Sequence, residues 1–151
     1  MPSTQLFHQL REYIKSLDTD SIPPERKQVL QPLTDYLQEK ISKARPVNLN
    51  FICTHNSRRS QFAQVWAQVA AAYHGADDVH CFSGGTEATA FNPRAVEALK
   101  RAGLHISREN GENPVFTVHF SDKDQPLQCF SKVYDHPENP NADFAAVMTC
   151  S

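Results

Sequence analysis

The feature that most constrains this chain is a cysteine caught between two patterns. Val47-Asn48-Leu49-Asn50-Phe51-Ile52 is a short apolar run of strand type that ends at Cys53. Thr54 to Arg58 is polar, and Arg59-Ser60 opens a segment whose Val65, Trp66, Val69, Ala70 and Tyr73 form the apolar face of a helix reaching His74 and stopped by Gly75. Five residues between cysteine and arginine are enough to wrap the backbone into a cup between strand and helix. Successive amide N–H groups then point inward at an anion, and the helix adds the positive end of its dipole. Arg59 can fork two N–H bonds onto the oxygens of a bound oxyanion. The same field lowers the pKa of Cys53 and makes it a nucleophile at neutral pH. Ser60 stands where its hydroxyl can donate to the sulfur, and Asn56 can lock the loop through side-chain to backbone bonds. The plain alternative is a buried strand-end cysteine beside an exposed arginine.

The surrounding pattern predicts the fold. Val79–Phe82 reads as a second strand followed by a Gly84-Gly85 turn, and Asn92-Pro93 starts a helix through Ala95, Val96, Ala98, Leu99 and Ala102 to Gly103. Val115–Phe120 alternates as a strand, with Leu127–Tyr134 as its antiparallel partner in a hairpin. Asp135–Asn141 is a loop, and Phe144–Thr149 is a final buried strand ending at Cys150. Strand, helix, strand, helix and a further strand predict an α/β fold with a doubly wound parallel sheet and an inserted β-hairpin. Such sheets place their working loops at the carboxyl ends of strands, where both Cys53 and Cys150 fall, so the two are expected near each other.

Ahead of this lies an N-terminal helical extension, residues 1–45, which divides the chain from a domain spanning 46–151. Leu6, Phe7, Leu10, Tyr13, Ile14 and Leu17 give residues 4–17 a helical stripe. Asp18 to Ser21 breaks it. Pro23-Pro24 opens a second helical stretch carrying Val29, Leu30, Leu33, Tyr36, Leu37 and Ile41, which Pro32 must kink or split. The extension is read as a packing element over the core, with a partner or oligomer contact as the alternative.

Composition excludes several classes. A net charge of −2 carries no field for nucleic acid or anionic membrane, and no apolar run approaches a membrane span. The amino terminus lacks the pattern of a secretory signal, which places the chain in the cytoplasm. The four cysteines, Cys53, Cys81, Cys129 and Cys150, contain no C-x-x-C pair, and the histidines show no ligand spacing, so neither a metal nor another cofactor is expected. Cys81 and Cys129 are read as structural, with Cys129 a fallback redox partner.

Phe51-Ile52-Cys53-Thr54-His55-Asn56-Ser57-Arg58-Arg59-Ser60-Gln61 resembles the signature of the low-molecular-weight protein tyrosine phosphatases and of the thioredoxin-coupled arsenate reductases that share their fold. Ser83-Gly84-Gly85-Thr86-Glu87, with Asn92-Pro93-Arg94-Ala95-Val96, resembles the segment after the family's second strand. Asp143 to Ser151 resembles the third strand of the reductases with its second redox cysteine. The resemblance covers about residues 47–110 and 142–151. It implies Cys53 as nucleophile and the loop Thr54, His55, Asn56, Ser57, Arg58 with Arg59 as the oxyanion site. It further implies Ser60 tuning the thiolate and Cys150 attacking an arsenic-bearing Cys53 adduct to release arsenite. The implied substrate is arsenate, or a phosphate ester in the phosphatase alternative, and the implied reductant is thioredoxin or a similar thiol protein. An inactive oxyanion-binding fragment is the third reading.

The sequence departs from the family at several positions. His55 stands where many members have Gly, and Arg58 where several have Cys. Asp135 is followed by His136 rather than Pro. The family's Asp-Pro loop with its general acid, and the reductases' third cysteine, follow the third strand, so the resemblance implies a C-terminally shortened member.

Overall fold

The structure, a computed structural model, describes residues 5–150. The first residue of the expected 4–17 helix, and Ser151, lie outside the described residues. Six strands and four α-helices follow in the order α1 (His8–Ser16), α2 (Pro24–Ser42), β1 (Val47–Cys53), α3 (Arg59–Tyr73), β2 (Val79–Gly85), α4 (Pro93–Arg101), β3 (His105–Arg108), β4 (Phe116–His119), β5 (Leu127–Cys129) and β6 (Ala145–Met148), with a 3-10 turn at Thr19–Ser21. The α/β class with a parallel sheet is what the chain adopts: β2, β1 and β6 pair in parallel with β1 at the centre. A second sheet is antiparallel, in the order β3-β4-β5.

Helix α3 stands between the two halves and is apolar on two sides. Ala63, Ala67 and Ala71, spaced four apart, pack on Val47, Leu49 and Phe51 of β1 and on Val79 and Cys81 of β2. Small residues there let the helix lie close to the sheet. Val65 and Val69 face the other way, into a core with Leu6, Leu10, Phe91, Val96, Leu99, Phe116, Val118 and Phe120. Helix α2 joins the first cluster through Leu33, Tyr36 and Leu37. Helix α1 joins the second through Leu10, which is fully buried against Gly103.

Several local expectations change. Helix α2 is unbroken across Pro32. Pro32 and Gln28, whose carbonyl loses its donor, are both exposed residues, so water can take the bond. Gly84 and Gly85 do not form a turn but end β2, paired with Ile52 and Cys53. A Cβ on Gly84 would lie 2.3 Å from the Tyr134 Cα, so the close approach of residues 132–134 requires glycine there. The hairpin forms, but β5 stops at Cys129, because Phe130–Tyr134 turns away to bond the end of β2. A short strand, β3, adds to the hairpin and was not expected from the sequence. Strand β6 is not buried: it forms an edge of the parallel sheet, and Met148 is 64% exposed.

Candidate active site

The loop between β1 and α3 is held by its carbonyls, which face outward. Thr54 O accepts from the N–H groups of Thr86 (2.8 Å) and Glu87 (3.1 Å), and Ser57 O from that of Asn92 (2.9 Å). His55 O accepts from the hydroxyls of Ser131 (2.8 Å) and Thr89 (3.3 Å). Asn56 O accepts from Gln61 Nε2 (3.2 Å). With the carbonyls engaged outside, the amides of Asn56, Ser57 and Ser60 turn toward the Cys53 sulfur, where they act to lower its pKa. The reversal needs a residue at positive φ, and Asn56 supplies it at φ 50°.

Cys53 ends β1 and is buried, with its sulfur 2.9 Å from Ser60 Oγ. Burial alone would raise its pKa. The Ser60 hydroxyl, then the backbone N–H groups of Ser60, Asn56 and Ser57, outweigh burial and hold the thiol below its ordinary value. Asn56 Nδ2 donates to Ser60 Oγ at 2.7 Å, and Asn56 itself is fully buried. Helix α3 has no side-chain cap and no acidic residue in its first turn, so the positive end of its dipole is left to the site.

Cys53, His55, Ser57, Arg58 and Arg59 line one cavity of about 220 Å³ with Thr89 and Asn92. Arg58 and Arg59 are exposed, and His55 Nε2 lies 2.6 Å from Glu87 Oε1 at the rim. Cys150 is brought to the same end of the sheet. Strand β6 runs beside β1, Thr149 N donates to Ile52 O (2.8 Å), and Cys150 Sγ lies 3.8 Å from Thr54 Oγ1. Cys81 and Cys129 sit elsewhere in the core, where burial pushes each thiol up to about 12. Cys129 is fully buried, so a redox exchange there would need the core to open.

Sequence reasoning missed the outer supports of the loop: Gln61, Thr89, Ser131 and Lys132. Gln61 stands in the Phe51–Gln61 signature, but nothing local marked its side chain as a brace for the loop. Ser131 and Lys132 lie more than seventy positions from the loop and give no local signal. Among the described residues, no cluster of His, Cys, Asp or Glu forms a metal site, and no helix is long and apolar enough to cross a membrane.

Residues 48–125 match the family model described as low molecular weight phosphotyrosine protein phosphatase. The chain is similar to an arsenate reductase of Staphylococcus aureus, 44% identical over 62 residues, which is 41% of this chain and 44% of that protein. It is 42% identical over 62 residues to an arsenate reductase of Bacillus licheniformis, covering 41% and 42% of the two chains. It is 46% identical over 57 residues to arsenate reductase 2 of Staphylococcus haemolyticus, covering 38% and 40%. The chain thus spans less than half the length of these curated relatives. No solved structure matches it.

Proposed function

This chain belongs to the low molecular weight phosphotyrosine protein phosphatase family, and from that premise we propose that it is a thiol-dependent enzyme acting on a tetrahedral oxyanion, with arsenate as the substrate. The observation that carries the reading is the convergence of three N–H groups and the Ser60 hydroxyl on the Cys53 sulfur, at the wall of a cavity flanked by Arg58 and Arg59. In the resting site the inward N–H groups stabilise the thiolate, and with substrate bound they are free to hold its oxygens. Arg59 clamps the oxyanion, with the loop from Thr54 to Arg58 as its cradle.

The Cys53 thiolate attacks arsenic, an S–As bond forms and an As–O bond breaks, and the departing oxygen leaves as water after taking up protons. The Cys150 thiolate then attacks the Cys53 sulfur. The S–S bond forms as the S–As bond breaks, its electron pair stays on arsenic, and As(V) leaves as As(III). The position of Cys150 beside Thr54, together with the similarity to arsenate reductases, supports this role. An external dithiol protein of the thioredoxin type, in a reducing cytoplasm, returns Cys53 and Cys150 to thiols. Residues 5–45 serve as a packing element, through Leu10 of α1 and Leu33, Tyr36 and Leu37 of α2.

Replacing Cys150 by Ser leaves oxyanion attack intact and stops the reaction at the Cys53 adduct, before arsenite release, in an arsenate assay driven by thioredoxin. Sustained turnover by that variant removes Cys150 from the mechanism. The family description favours a second reading, in which Cys53 forms a phosphocysteine that water hydrolyses. Hydrolysis of an aryl phosphate that is unaffected by Cys150→Ser, without arsenate reduction, selects it.

A further inference from the structure

Residues Phe130–Lys132 lie beyond the residues matched to the family, yet they carry the bonds that give the loop its hydrogen-bond polarity. A serine hydroxyl has one hydrogen. It reaches the Cys53 sulfur only if Asn56 presents its NH₂ to Ser60 Oγ, as it does at 2.7 Å. With the amide turned over, Oδ1 would accept the Ser60 hydrogen and the sulfur would lose it. The orientation is set from the other side: Asn56 Oδ1 accepts from the backbone N–H of Lys132 at 3.0 Å and from Gln61 Nε2 at 3.0 Å. Gln61 is oriented in turn, because the same nitrogen also donates to Phe130 O at 3.1 Å. The whole chain of donors is therefore anchored on backbone groups of residues 130 and 132, which cannot reverse roles.

Ser131 holds this segment in place. Its hydroxyl donates to His55 O (2.8 Å) and accepts from Thr89 N (2.8 Å), while Asn113 bonds both its carbonyl (2.8 Å) and its N–H (3.3 Å). Lys132 O takes the N–H of Gly85 at 2.9 Å, fastening the other end to β2. Ser131 and Lys132 are both buried.

We propose that Phe130–Lys132 is a positioning strap for Cys53, whose backbone groups fix the direction of the Asn56–Ser60 pair so that the Ser60 hydrogen is delivered to the sulfur. The strap rests on the reading of Cys53 as the working thiolate and adds to it a control from outside the matched residues. None of its residues touches the reacting atoms.

The test is the pH profile of Cys53 alkylation by iodoacetamide, located by mass spectrometry in the full chain. Lys132→Pro deletes the N–H that Asn56 reads, and Ser131→Ala loosens the strap. The expected result is an upward shift of the alkylation midpoint in both. At neutral pH the rate falls roughly tenfold in Lys132→Pro and several-fold in Ser131→Ala, on the scale of one charge-assisted hydrogen bond. Ser131→Thr restores the native profile, and Thr117→Ala, which removes a side-chain bond elsewhere in the hairpin, leaves it in place. The proposal is overturned if folded Lys132→Pro and Ser131→Ala keep the native midpoint, or if Thr117→Ala moves it as far. Should Lys132→Pro not fold, Ser131→Ala with its threonine rescue decides alone. Failure of the underlying thiolate reading looks different: the unsubstituted protein would then alkylate with the profile of an ordinary thiol.

Discussion

At the scale of single residues, the reactivity of Cys53 is a contest between burial and hydrogen bonding. Burial opposes the thiolate, and the Ser60 hydroxyl, with the backbone N–H groups of Ser60, Asn56 and Ser57, overcomes it. Replacing Ser60 by Ala removes the largest favourable contribution and leaves Asn56 Nδ2 without its acceptor. Alkylation of Cys53 at neutral pH is expected to slow by roughly tenfold or more, read by the same thiol-modification kinetics. The pH dependence follows from the sign of the shift. Because the folded pKa lies below the unfolded one, the native state gains stability from the thiolate above the ordinary thiol pKa. That gain fades as pH falls through the folded value.

At the scale of elements, the loop is shaped by what packs behind it. Gly85, the last residue of β2, sits against the loop backbone, where a Cβ would lie 2.5 Å from Thr54 O and 2.9 Å from Asn56 N. Gly85→Ala must push the loop off its seat, so activity falls sharply while most of the core survives. A thermal melt lowered by only a few degrees beside a collapse of Cys53 reactivity is the expected pair of results; native reactivity would show that the loop tolerates the displacement. Helix α3 supplies a second device. Strand β2 is an edge of the parallel sheet, and two glutamines occupy its outer polar groups: Gln64 Nε2 donates to Cys81 O (3.0 Å), and Gln68 donates to Val79 O (2.7 Å) while accepting from Cys81 N (3.0 Å). An edge satisfied in this way offers no template for a foreign strand.

At the scale of the whole molecule, the N-terminal helices are joined to the body. Leu10 of α1 is fully buried in the same cluster as Phe91, Leu99 and Val118, and Phe7 N donates to Phe120 O at 3.1 Å. Gly103, at φ 113°, lets α1 approach its backbone, since a Cβ there would lie only 2.5 Å from Leu10 N. Leu10→Ala opens a cavity beside it and is expected to cost about 2–5 kcal/mol, measured by urea unfolding. A loss well under 1 kcal/mol would show α1 to be a detachable cover.

The residues near Cys53 made much of the site legible. A strand ending in cysteine, five polar residues and an Arg-Ser helix start announce their geometry locally, because the cup is built from consecutive backbone amides. Asn92-Pro93 likewise marked the start of α4 through short-range capping, and Asn92 Oδ1 does accept from Arg94 N. What lay beyond local reading was everything joined across long separations. The sequence showed one apolar face on α3, whereas the fold uses two, because the helix is packed from both sides. It suggested a buried final strand, whereas β6 took the edge, since strand order depends on pairing rather than on hydropathy. Above all, the serine and the backbone N–H that brace the loop come from residues 131 and 132, after the hairpin. A hydrogen bond between distant segments leaves no period and no motif in a chain; only the folded backbone determines which N–H meets which oxygen.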